Sequence, residues 1–192
     1  VPLARLLLNG MIVTFPTILL TFSIAIPASY ALAKLDVPAK QSFFILILST
    51  QMFSPIVVLV PLFNLFKALN LIDTYLGLII INTAFSLAFS TLLMTGFFNT
   101  IPNDVLNAAL IDGCSNFQTI IKVVLPISAP GIFVVGIYIF TQVWNDFLFA
   151  FTFINSSDKF TPIVGLNALI QPPGLVIPPW NLAMAMSVII SI

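Results

Sequence analysis

The chain has 192 residues, of which 60% are hydrophobic and 6% charged, with six basic and six acidic side chains and no histidine. A water-facing domain of this length carries roughly one quarter charged residues, so a soluble globular fold is excluded and the mean hydropathy of +1.17 points to lipid as the solvent. Zero net charge argues against nucleic acid as a partner, and a single cysteine, Cys114, excludes an internal disulfide.

Every charge can be named: Arg5, Lys34, Lys40, Lys67, Lys122, Lys159, Asp36, Asp73, Asp104, Asp112, Asp146 and Asp158. They leave 6–33, 41–66, 74–103, 123–145 and all residues after Lys159 uncharged. A helix crosses the hydrocarbon core with about 20 apolar residues. A barrel would show alternating strands of about ten. These runs are longer and apolar on both faces, so the expected fold class is an all-α membrane protein, a polytopic helical bundle.

The first span is expected over about 6–34. Ala25, Ser29 and Ala33 recur at four-residue spacing, a seam of small residues that lets helix backbones approach. The second, about 42–69, contains Pro55 and Pro61, each of which removes a backbone donor and kinks or breaks a helix. The third runs over about 75–99, with Asn82, Ser86 and Ser90 on one face. Residues 100–130 form the one substantial polar connection. Pro102, Asn103 and Asp104 read as a helix start with an acid at the positive end of the dipole, and Gly113 as its stop. A short helix over 104–112 is therefore expected, followed by a turn capped by Ser115 and a second helix ending at Pro126.

The fourth span is expected over 131–154. Asp146 lies 15 residues past Gly131, about 22 Å along a helix, in the outer half of the membrane. Tyr138, Gln142, Asn145 and Asp146 form a polar strip at helical spacing. It either lines a path for a hydroxylated solute or bonds neighbouring helices near the outer face, and the residues favour the second slightly. Asn82 carries the same two readings. Trp144 and Trp180 are expected to anchor at the interface. A loop with Pro162, Pro172, Pro173, Pro178 and Pro179 leads to a last segment over 181–192, of which Leu182–Ile192 spans about 16 Å, so a helix cut short is expected. Basic residues divide three against three between the two sides, which leaves orientation undecided by charge.

Within the polar connection the sequence reads Asn107-Ala108-Ala109-Leu110-Ile111-Asp112-Gly113-Cys114, with Leu125-Pro126 and Pro130 beyond. This resembles the EAA loop of the binding-protein-dependent ABC importer permeases, the MetI-like type. The match departs at Asn107, Cys114 and Ile120, where the family pattern has Glu, Ala and Phe. Ala28-Ser29-Tyr30-Ala31-Leu32-Ala33-Lys34 and Leu69-Asn70-Leu71-Ile72-Asp73-Thr74 resemble further family segments. Trp144-Asn145-Asp146-Phe147 is similar to a signature of the maltose-type, carbohydrate-importing branch.

The resemblance implies a permease subunit of an ATP-driven importer in the cytoplasmic (inner) membrane, crossing it several times. It also implies that Asn107, Ala108, Ala109, Asp112 and Gly113 couple the subunit to its motor. Its implied partners are two ABC ATPase subunits, a second permease subunit and an extracytoplasmic solute-binding protein, besides the lipid bilayer. It implies six spans, so a first helix and the end of the last are expected outside this chain. Gln142, Asn145, Asp146 and Asn82 become candidate residues of the solute path, for a sugar or oligosaccharide. No nucleotide-binding motif, metal cluster or nucleophile–base pair is present, so neither a cofactor nor catalysis by this chain is expected. An ion-gradient-driven carrier is the alternative, suggested by the Pro-broken helices and an intramembrane acid.

Overall fold

The structure, a computed structural model, describes residues 2–35, 38, 40–170 and 180–191. Pro172, Pro173, Pro178, Pro179, Asp36 and Ile192 lie outside the described residues. Every regular element among those described is helical, as the fold class requires. In order they are α1 (Leu3–Lys34), α2 (Lys40–Gln51), α3 (Pro55–Ala68), α4 (Tyr75–Asn99), α5 (Asn103–Ile111) and α6 (Asn116–Thr119). A π-turn over Ile120–Val124 leads to α7 (Leu125–Ile127), α8 (Ala129–Trp144), α9 (Leu148–Phe153), α10 (Pro162–Ile170) and α11 (Trp180–Ser191).

By length and composition α1 and α4 are each able to cross a bilayer, and up to two further spans would each be a bent helix pair. The second span expected over 42–69, with Pro55 and Pro61 each able to kink or break it, is two helices of 12 and 14 residues. Pro55 is the reason: it occupies the first position of α3, where its missing N–H costs nothing, while the residue before it is driven out of helical conformation. Pro61 sits inside α3 without ending it. The span expected over 131–154 is likewise interrupted, because α8 stops at Trp144 and α9 begins at Leu148. Asn and Asp side chains compete with the helix for its own backbone groups, and Asn145-Asp146 places two of them together. Within the stretch expected to be a Pro-rich loop, α10 begins at Pro162, which again fits a first helical position.

Two compact units form, one from Val1–Thr17, Pro55–Asn82 and Phe140–Ile192, the other from Ile18–Ser54 and Thr83–Ile139. In lipid, burial of apolar surface does not drive association, so close packing and internal hydrogen bonds must hold the helices. In the first unit Phe153 is fully buried and meets Phe66 edge-on at 5.1 Å, Phe63 at 6.0 Å and Phe149 at 6.2 Å. A second cluster gathers Leu6, Met186 and Ile190. Polar links hold the same unit: Tyr75 Oη donates to Asn9 Oδ1 at 2.8 Å, and Asn9 Nδ2 donates to the carbonyls of Asp158 and Phe160.

Asp73 is the centre of the tightest network in that unit. Its backbone is left-handed, at φ +59°, which Asp tolerates better than most residues. Its N–H donates to the Phe153 carbonyl at 2.7 Å. Its carboxylate accepts the N–H groups of Asn155 and Ser156, the Ser156 hydroxyl and the Lys159 ammonium. Burial pushes the Asp73 carboxyl up, but the hydrogen bonds from Ser156, Lys159 and Asn155 outweigh it and hold the group well below the usual carboxylate range. The turn between α3 and α4 is thereby tied to the chain between α9 and α10.

In the second unit the small-residue seam of α1 meets α4. Ala25 and Ser29 are fully buried, and the Ser29 hydroxyl donates to the carbonyls of Ala25 and, at 3.1 Å, Thr91. Ser86 and Ser90, expected on one face of the third span, are also fully buried.

Candidate functional site

The polar connection folds as a short helix and a capped turn, a knob. α5 covers Asn103–Ile111, one residue from the expected 104–112. Leu106 and Ala109, three apart, are its buried residues. Asn107, Ala108, Asp112 and Gly113 are exposed. Of the two alanines that the resemblance assigns to coupling, Ala108 is exposed and Ala109 is buried.

The end of α5 is built from backbone. Gly113 has φ +85°, its N–H donates to the Leu110 carbonyl at 3.1 Å, and the Cys114 N–H donates to the Ala109 carbonyl at 3.0 Å. This pair of bonds is the Schellman motif. A side chain at Gly113 would meet no neighbour, so the requirement for glycine is conformational alone. Two residues on, Ser115 starts α6 through a capping box: its hydroxyl accepts the Gln118 N–H at 3.3 Å, and Gln118 Oε1 accepts the Ser115 N–H at 2.9 Å. One helix thus stops and the next starts across Asp112–Ser115 with its backbone groups satisfied. Around this turn lies an apolar surface, with Ile111 85% and Phe117 70% exposed.

From the turn the chain runs on without a gap. Pro126 lacks the N–H that would bond the Lys122 carbonyl. The turn before it widens instead, with the Leu125 N–H reaching the Ile120 carbonyl. The segment Asn116–Ile127 therefore continues past the proline expected to end it, and bends 83° into α8 at Ser128. At the other root of α5, Lys34 Nζ donates to the Ile101 carbonyl at 2.6 Å and to Asn103 Oδ1 at 3.2 Å. No sequence signal beyond a lysine at a helix end marks that contact, because the partners lie 67 and 69 residues away.

The four candidate path residues all belong to the first unit. Asp146 and Asn82 are brought together: Asn82 Nδ2 donates to Asp146 Oδ2 at 3.2 Å and to the Leu78 carbonyl at 3.0 Å. Asp146 Oδ1 accepts the Phe149 N–H at 3.1 Å in the first turn of α9. Both carboxylate oxygens are thus engaged at the helix break, and Asp146 lies off the helical strip on which it was expected. Gln142 Oε1 is buried without a hydrogen-bond partner among the described residues.

Asn145 is exposed, donates to the Thr141 carbonyl at 2.8 Å, and lines a cavity of about 470 Å³ with Thr141, Phe140 and Trp144. Trp144 stacks on Phe140 at 5.3 Å and donates from Nε1 to the Ile190 carbonyl at 3.0 Å. It is thereby tied to α11. Tyr138, the remaining member of the strip, meets Phe89 at 4.5 Å in the second unit.

Residues 25–192 match the model of the binding-protein-dependent transport system inner membrane components. The chain belongs to that family. The matched stretch holds all of α5, the Schellman turn and the helix break at 145–147.

Similar family proteins include the sulfoquinovosyl glycerol transport system permease protein SmoH of Agrobacterium fabrum, 39% identical over 166 residues, covering 86% of this chain and 58% of that protein. The inner membrane ABC transporter permease protein YcjP of Escherichia coli is 33% identical over 181 residues, covering 94% and 64%. The diacetylchitobiose uptake system permease protein NgcG of Streptomyces coelicolor is 31% identical over 166 residues, covering 86% and 55%. The chain therefore spans 55–64% of the length of these three relatives. A solved bacterial ABC transporter involved in import of the acidic polysaccharide alginate shares the fold, with a TM-score of 0.79 at 23% identity over 96% of this chain and 64% of that one.

Proposed function

We propose that this chain is the permease subunit of an ABC importer, moving a sugar or oligosaccharide across the cytoplasmic membrane by alternating access. The observation that carries the proposal is the exposed knob at 103–115, held by a Schellman turn and a capping box inside the stretch that matches the family. Such a knob is suited to a cleft in a soluble partner because its backbone is already satisfied and few residues remain to be ordered on docking. Asn107, Ala108, Asp112 and Gly113 present the face, Ile111 and Phe117 supply apolar area, and the uninterrupted path through 116–128 carries displacement into α8. Ala109 contributes from within, by seating the knob.

The partners in this proposal are two ATPase subunits at the knob, a second permease subunit and an extracytoplasmic solute-binding protein. The ATPases supply the energy, because this chain brings no nucleotide-binding motif. The knob is cytoplasmic in this arrangement. Glycosidic solutes are favoured by the solutes for which SmoH and NgcG are named. For the path, Asn145 beside the Trp144–Phe140 stack offers an amide next to aromatic faces, a combination suited to sugars. Asp146 and Asn82 hold the break open. An ion-coupled carrier would need an acid free to exchange its ion, whereas both oxygens of Asp146 are engaged.

The test is reconstitution of the full complex with sulfoquinovosyl glycerol, diacetylchitobiose and alginate oligosaccharides as probes. ATP-dependent uptake of one of them, with an ATPase co-purifying, is expected. Uptake driven by an ion gradient without ATP would overturn the proposal. Asn145→Ala should lower solute affinity with assembly intact, and Asp146→Ala should impair assembly. The reverse pattern would exchange the two roles.

A further inference from the structure

We infer that Lys34 is a positioning residue for energy coupling, clamping the root of α5 to the end of α1 so that the knob and α1 move as one body. This rests on the coupling role proposed above and adds a second arm to it. The knob is joined covalently to α4 and to α6. The Lys34 ammonium gives its root a hydrogen-bonded link to α1.

The geometry is specific. Lys34 stands in the last turn of α1, where a cation suits the negative end of the helix dipole. Its Nζ reaches two acceptors that bracket Pro102: the Ile101 carbonyl, just past the end of α4, and Asn103 Oδ1, in the first residue of α5. Pro102 is the N-cap of α5 at φ −62° and ψ 140°, and it provides no side-chain cap. The α5 root thus lacks the usual side-chain cap and has a lysine from another helix holding both flanks of its proline. The Ile101 side chain is buried at 4% exposure, so the gripped residue is itself seated. Further along, Ser29 bonds the Thr91 carbonyl, which fixes α1 to α4 in the same unit. A displacement at α5 therefore meets α1 at Lys34 and α8 through 116–128.

An ordinary interfacial lysine would need its charge alone. The clamp needs the charge at one angular position on α1. Leu35→Lys with Lys34→Met restores the charge about 100° around the helix, and separates the two accounts.

The experiment uses the complete importer in nanodiscs, with spin labels at Ser23→Cys on α1 and Asp104→Cys on α5 in a Cys114→Ser background. Inter-label distances are measured without nucleotide and after trapping with Mg-ATP and vanadate. The clamp predicts one distance in both states for Lys34 and for Lys34→Arg. In Lys34→Met and in the double variant the distance should change by at least about 3 Å, two helical rises. Amides at the start of α5 should exchange roughly tenfold faster in both variants, as expected for loss of a charge-assisted bond.

A constant distance in Lys34→Met, or its restoration by the double variant, would overturn the inference. Should Lys34→Met not insert, Asn103→Ala leaves the lysine with the Ile101 carbonyl alone, and an unchanged exchange rate at the start of α5 there would overturn the grip on both flanks of Pro102. The underlying coupling role fails separately, if no ATPase joins the complex containing the unsubstituted lysine.

Discussion

Asp73 and Asp112 are both acids in turns between helices, and they are used in opposite ways. Asp73 turns inward on its own unit: its carboxylate accepts bonds from Asn155, Ser156 and Lys159, and its backbone N–H and carbonyl are engaged as well. Asp112 is exposed on a turn whose backbone is satisfied, and no side-chain partner for it is found among the described residues. A closed polar network is stability already realised, whereas an exposed acid beside exposed Ile111 and Phe117 is surface available to a partner. Substitutions should therefore harm integrity in the Asp73 region and association in the Asp112 region.

The largest effect should come from Gly113→Trp. A bulky residue at φ +85° is strained by about 1–2 kcal/mol or more, so the Schellman turn re-forms poorly. Loss of ATP-driven uptake is expected while protease mapping shows the helices still inserted. Unchanged uptake would erase the contrast between the two regions.

Next is Asp73→Ala, which leaves the Lys159 ammonium with fewer partners. A cost of about 2–3 kcal/mol is expected from charge-assisted bonds, read by thermal unfolding in detergent, with the ATPase still co-purifying. The lowered carboxyl pKa adds a pH signature. A group depressed in the folded state contributes fully above its unfolded value, about 3.9. That contribution is lost as pH falls through the lower folded value, so it should be flat from about pH 5 to 8. A decline over that range would show that Asp73 is not held ionised by its partners.

Ser115→Ala removes the capping box at about 1 kcal/mol. Amide exchange should rise in 116–119 and leave the Asp73 turn unaffected. The smallest effect should be Asp158→Asn. The Arg5–Asp158 pair, 3.2 Å apart with side chains 54% and 51% exposed, is worth about 0.5 kcal/mol, and high salt should erase it.

The same contrast explains what was legible in the sequence. The knob was readable because its signals are local: a glycine that stops one helix, and a serine that caps the next. The break at Pro55 was readable for the same reason, yet Pro61 shows that a proline inside a helix need not end it. Asp146 was read as part of a helical strip because spacing carries no information about Asn82, 64 residues away. The Asp73 network and the Lys34 contact were illegible because each depends on partners 67 to 86 residues distant. Polar residues in lipid find whichever partner the fold supplies, and single-sequence periodicity cannot name it.

The measurement that bears most directly on the account is photo-crosslinking from Ile111 in membranes carrying the complete importer. A covalent adduct between this chain and an ATPase subunit is predicted, and Gly113→Trp should abolish it. An adduct with a protein on the extracytoplasmic side, or none with the ATPase, would contradict the assignment of 103–115 as the coupling element.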